Sequence, residues 1–83
     1  MDLPLISQLR SRLESILLVL DSPASVESLA RALGAERDVV SDCLRAVQRE
    51  LNNRGSGIEL RETQEGWRFY TRSENAGAVE EFL

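Results

Sequence analysis

The side chains here that could do chemistry are one thiol, Cys43, fourteen carboxylates and ten arginines, with no histidine and no lysine. That set cannot supply a Ser–His or Cys–His pair, because the base is missing. Zinc held by thiolates and imidazoles is excluded for the same reason. A single cysteine forms no intramolecular disulfide. Cys43 falls in an apolar stripe at helical spacing, which reads as a buried structural thiol rather than a nucleophile. Glu59 and Glu62 come nearest to a carboxylate pair, but in an alternating strand they point to opposite faces. No general acid–base site follows. The sequence therefore implies a protein that is not an enzyme and needs no metal or cofactor.

The chain has 83 residues, 42% apolar and 29% charged, with a net charge of −4. That is one small globular domain, residues 1–83, with a thin core; domains near this length bury roughly 60–65% of their unfolded surface. A net-acidic domain gains nothing from counterion release, so duplex DNA is disfavoured as the main partner. That every basic residue is arginine reads as compositional bias, not as a binding site. No apolar run approaches the roughly 18–20 residues that span a bilayer. The start, Met-Asp-Leu-Pro, lacks the basic region of a signal peptide. A cytoplasmic protein is expected, and a free Cys43 fits a reducing compartment.

These residues must be positioned by three helices and a hairpin. Pro4 can open the first helix, since its missing N–H would be an orphan there. Ile6, Leu9, Leu13, Ile16, Leu17 and Leu20 then form one apolar face, and Asp21-Ser22-Pro23 ends it. Ser25 caps a second helix whose stripe is Val26, Leu29, Ala30 and Leu33, and Gly34 closes it. A third helix spans Arg37 to Asn53 on Val40, Cys43, Leu44, Val47 and Leu51, with Val39 and Ala46 at its flanks. Its N-cap, Glu36, is poor, partly offset by Asp38 in the first turn; Arg49 and Arg54 suit its other end. After Gly55-Ser56-Gly57 the period changes to two, which predicts a β-hairpin. The register that keeps the apolar residues together sets Ile58 against Thr71, Leu60 against Phe69 and Glu62 against Trp67, with a four-residue loop Thr63–Gly66. A short helix from about Asn75 to Leu83 presents Val79, Phe82 and Leu83. The plan is α+β, mainly α: a winged helix with a helix-turn-helix core, a hairpin wing and a short C-terminal helix.

In a DNA-binding protein of this plan the third helix would read bases, through Arg45, Gln48 and Arg49. Here Asp38, Asp42, Arg45 and Arg49 follow at spacings that let them neutralise one another, each pair contributing about 0.2–0.5 kcal/mol. The first helix differs. Leu18 lies opposite its core face among Ser7, Ser11 and Ser15, and Val19 lies at the margin of that face. A leucine on a strip of small residues suits another helix at close range. Trp67, near the hairpin tip, reads either as a cap over the core or as an anchor for another chain. Tyr70 is the one large apolar residue on the other hairpin face. Ser11, Ser15, Leu18, Val19, Trp67 and Tyr70 form the candidate interface.

The sequence also resembles the N-terminal winged-helix domain of segregation and condensation protein B (ScpB). The resemblance is carried by Glu14-Ser-Ile-Leu-Leu-Val-Leu-Asp-Ser-Pro-Ala-Ser25 and Val26-Glu-Ser-Leu-Ala-Arg-Ala-Leu-Gly34. Its most specific stretch is Gly57-Ile-Glu-Leu-Arg-Glu-Thr-Gln-Glu-Gly-Trp-Arg-Phe-Tyr-Thr-Arg72. It covers nearly the whole chain; Glu36 departs from the polar cap usual in the family. The resemblance implies the N-terminal half of a longer two-domain protein. It further implies a non-enzymatic homodimer that binds the kleisin ScpA and, through it, SMC, in a bacterial condensin that condenses and segregates chromosomes. The rival reading is a winged-helix transcription regulator.

Overall fold

The computed structural model describes residues 5–83, with side chains from Gln8 onward. Pro4 as helix opener, and the side chains of Ile6 and Ser7, lie outside the described residues. The order is α1 (Leu5–Val19), α2 (Val26–Leu33), α3 (Arg37–Asn53), β1 (Ile58–Thr63), β2 (Gly66–Thr71), a 3-10 turn (Ser73–Asn75) and α4 (Ala76–Phe82). This is a winged helix.

Local chemistry sets the element ends. Ser25 Oγ accepts from the Ser28 backbone N–H at 3.1 Å and caps α2, a contact that contributes about 1 kcal/mol. Gly34 closes α2 at φ 62° and donates to Ala30 and Arg31 carbonyls. Glu36 precedes α3 without a side-chain cap bond. Inward stripes from α1, α2 and α3 meet Leu60 and Trp67 of the hairpin in one core. All five stripe residues of α3 are buried, Cys43 among them. Ala30 is buried near the α2–α3 turn, where its small side chain lets the helices cross closely.

The hairpin register is the one expected: Ile58↔Thr71, Leu60↔Phe69 and Glu62↔Trp67. The loop is tighter than expected. Thr63 still pairs with Gly66, so the turn is Gln64-Glu65 and not a four-residue loop. Thr63 Oγ1 holds it, donating to the Gly66 carbonyl at 3.2 Å and accepting from Glu65 N–H at 3.1 Å. A 3-10 turn precedes the C-terminal helix, which is one residue shorter at each end than read, Ala76–Phe82.

One tie was not legible in the sequence. Ala24 bridges Trp67 with two backbone bonds, Ala24 N to Trp67 O at 3.0 Å and Trp67 N to Ala24 O at 2.7 Å. The α1–α2 connection thus adds a one-residue third strand to the hairpin. Trp67 itself is 1% exposed. The reading of Trp67 as an anchor for another chain is therefore corrected: the bridge turns its indole into the core. Its Nε1 finds no acceptor among the described residues, at a cost of about 1–3 kcal/mol set against burial of the ring.

Gly66 makes the bridge possible. Its φ is +132°, and a Cβ there would lie 2.4 Å from the Ala24 carbonyl carbon and oxygen. Both are backbone atoms that cannot turn aside. Gly66→Ala should therefore lower the unfolding free energy by about 2–3 kcal/mol, read as a shift in the denaturation midpoint. A change below about 0.5 kcal/mol would contradict this account of the bridge.

Candidate protein-interaction surface

The outer side of α1 and the open end of the hairpin meet in two adjoining grooves. Ser11, Ser15 and Leu18 face Ile58, Phe69 and Arg54 across the first, of about 380 Å³. Leu18 and Leu20 face Ile58, Arg68 and Tyr70 across the second, of about 240 Å³. Leu18, 75% exposed, is the ridge between them, and Val19 is exposed beside it. Ser15 Oγ donates back to the Ser11 carbonyl at 3.1 Å, so this strip stays low and asks nothing of a partner.

Of the residues read from the sequence, Ser11, Ser15, Leu18 and Tyr70 come together here. Val19 shares the helix but lines neither groove, and it lies outside the core margin where it was expected. Trp67 lies in the core. Ile58 and Phe69 were read as inward-facing and belong to the groove as well: Phe69 is half-buried and Ile58 is 44% exposed. The reason is length. The helices cover the hairpin at Leu60 and Trp67, and the rung at Ile58 and Thr71 lies past them. Counting rungs against the reach of the helices would have found them.

Arginines frame the hairpin's other face. Arg61 and Arg68 are direct cross-strand partners, an arrangement that normally destabilises. Tyr70 relieves it: Arg61 lies over its ring at 3.9 Å and Arg68 at 5.9 Å. Such contacts contribute about 0.5–1 kcal/mol at exposed sites. Arg72 is a strut. It donates to the carbonyls of Ser56, Leu51 and Ile58 and to Asn52 Oδ1, fixing the hairpin base against the end of α3.

The base-reading alternative fares differently. Gln48 Nε2 donates to the Leu60 carbonyl at 3.0 Å. Arg45 donates to Glu62 Oε1 at 3.2 Å and lies 5.3 Å from the Trp67 ring centroid. The expected Asp38–Asp42–Arg45–Arg49 pairing along α3 is corrected: Arg45 leaves it for the hairpin, which offers a carboxylate and a ring face together. Arg49 stays exposed. Glu50 on the same helix pairs with Arg10 at 2.6 Å. Two of the three base-reading candidates are thus held inside the domain.

Burial pushes the Cys43 thiol above its ordinary range, the opposite of what a nucleophile needs. Among the described residues no cluster of His, Cys, Asp or Glu could hold a metal. No described helix is long and apolar enough to cross a membrane.

Comparison with known proteins agrees with the geometry. Residues 11–83 match the family described as segregation and condensation complex subunit ScpB. The chain belongs to the ScpB family. It is 33% identical over 76 residues to segregation and condensation protein B of Myxococcus xanthus, covering 92% of this chain and 23% of that protein. The crystal structure of ScpB from Mycobacterium tuberculosis superposes with a TM-score of 0.93 at 41% identity, over 100% of this chain and 51% of that one. A dimer of ScpB N-terminal domain complexed with ScpA peptide shares the fold at a TM-score of 0.87 and 17% identity, covering 96% of this chain and 100% of that one. The chain thus spans about a quarter of the curated relative's length and half of the tuberculosis protein.

One ion pair outside the grooves responds to pH. Arg37 Nε donates to Glu27 Oε2 and joins the start of α3 to α2. That hydrogen bond and the guanidinium charge hold the Glu27 carboxyl below its usual range. Because the folded value is the lower one, its stabilisation is present above the unfolded pKa and is lost as pH falls through the folded one. Between about pH 6 and pH 3 the Tm of the parent should fall more than that of Glu27→Gln. Parallel curves would contradict the pairing.

Proposed function

We propose that this chain is a non-enzymatic pairing and docking module of a bacterial SMC condensin-like complex. It acts in chromosome condensation and segregation in the cytoplasm, on the nucleoid. It self-associates through the α1–hairpin surface and carries a contact to the kleisin ScpA, and through it to SMC. It forms the N-terminal half of a two-domain protein.

One observation carries this reading: the apolar surface left open lies on α1 and the hairpin base, while Arg45 and Gln48 of the helix that would read DNA are spent on the hairpin. Membership of the ScpB family supports the same complex. A related structure, a dimer of ScpB N-terminal domain complexed with ScpA peptide, supports the same partners. The chemistry is burial of apolar area between equivalent surfaces, and a stable dimer needs roughly 1,200 Å² or more in total.

Leu18 is exposed, so Leu18→Glu should leave the fold intact and weaken self-association at least about tenfold. Sedimentation of parent and variant, with far-UV circular dichroism as the check on folding, measures both. A folded variant that dimerises like the parent would sink the assigned surface. Independently, the domain should bind duplex DNA no more tightly than about micromolar at physiological salt. Tighter binding that falls steeply as salt is raised would favour a gene-regulatory role.

A further inference from the structure

The link between α3 and β1 turns on Ser56. Before it, Gly55 closes α3 in the left-handed conformation at φ 63°. Gly55 N–H donates to the Asn52 carbonyl at 3.2 Å, and Ser56 N–H to the Leu51 carbonyl at 3.0 Å. This pair of bonds is a Schellman closure, which an apolar contact from the residue at Ser56 to the last helical turn frequently completes. A serine does not supply that contact. With a glycine on each side of it, the link is free to move unless something ties it.

Arg72 ties it from the far end of β2. Its Nε donates to the Ser56 carbonyl. Its Nη2 donates to Asn52 Oδ1 at 2.8 Å and, more weakly, to the Leu51 and Ile58 carbonyls at 3.4 Å. Its backbone N–H donates to the Gly57 carbonyl at 3.1 Å. The guanidinium also brings positive charge to the end of α3, whose last turn has no basic residue of its own, a favourable place in the helix dipole. Leu51 and Ile58 both line the groove beside Leu18, one at the end of α3 and one at the start of β1. The core grips the hairpin elsewhere, at Leu60 and Trp67, and leaves Ile58 exposed.

We propose that Arg72 is a positioning residue for the interaction surface. Its guanidinium locks the α3–β1 link and fixes Ile58 relative to Leu51, so the groove holds one shape before a partner arrives. Such preorganisation raises affinity by removing an ordering cost from the binding step. A lysine cannot replace it: an ammonium presents its donors from one point, whereas the planar fork spans separated acceptors. The inference rests on reading this surface as the self-associating one and adds what holds it in shape.

Arg72→Lys and Arg72→Gln test it against the parent. Neither touches the core or the Ala24 bridge, so both should keep the parent's circular dichroism. Lysine keeps the charge at the end of α3 and glutamine does not, so Tm should fall less for Arg72→Lys than for Arg72→Gln. Association, read by sedimentation far below Tm, should weaken at least about tenfold in both. A residue that only stabilised the fold would let association follow Tm, with the lysine variant close to the parent. In dilute, monomeric protein the Ser56 and Ile58 amides should exchange at least about tenfold faster in both variants, with Ala24 and Trp67 unchanged. Asn52→Ala is a milder check: alanine favours the helix, so Tm should hold while exchange at the link still rises.

An Arg72→Lys protein that pairs like the parent, or link amides that keep parental rates in any of the three variants, overturns the positioning role and leaves the dimer reading standing. A parent that stays monomeric through the millimolar range overturns the dimer reading and the role built on it.

Discussion

Two backbone hydrogen bonds between Ala24 and Trp67 tie the hairpin to the helices, and the rest of the surface depends on that tie. The hairpin alone would be a two-stranded ribbon, which is marginal in water. The bridge gives it a third strand of one residue and presses the Trp67 ring into the core formed by the helices. Gly66 must approach the Ala24 backbone closely for this to happen. Once Trp67 is fixed, the period of two places Leu60 inward and carries Phe69 and Ile58 outward along the strands, beside Leu18. The groove is therefore a by-product of where the hairpin is pinned. Arg72 secures its other end with four acceptors around the end of α3 and the start of β1.

The same pinning decides what α3 can do. With the hairpin laid against it, Arg45 finds Glu62 and the Trp67 face, and Gln48 finds the Leu60 carbonyl. A helix in the position that reads DNA in other winged helices here serves as the hairpin's support. Exposed ion pairs such as Arg45–Glu62 contribute little energy individually. Their consequence is one of occupancy: the guanidinium and the amide that would face a groove edge already have partners.

Much of this was legible in the sequence, for identifiable reasons. The stripes of α2 and α3 follow the helical period without interruption, and Ser25 and Gly34 mark the ends of α2 by their own backbone chemistry. The strand register followed from keeping Leu60, Phe69 and Trp67 on one face, since a slip of one residue would divide them. The interface was half legible. Leu18, Ser11 and Ser15 stand out on a helical wheel because an angle is enough to find them. Ile58 and Phe69 do not, because their exposure depends on how far the helices reach along the hairpin. Trp67 carried two readings that periodicity could not separate; the Ala24 bridge, a contact between segments more than forty residues apart, separates them. Arg45 was paired along its own helix because sequence spacing sees only local partners, and Glu62 is distant in sequence.

The central claim is that the α1–hairpin side of this domain is built to be covered by protein. Hydrogen–deuterium exchange at concentrations below and above self-association tests it most directly. Added protection should fall on the second half of α1, on Ile58 and on Phe69 to Thr71, with the exposed side of α3 from Asp38 to Arg49 unchanged. Protection that instead gathers on α3 and spares Leu18 and Ile58 would contradict the account.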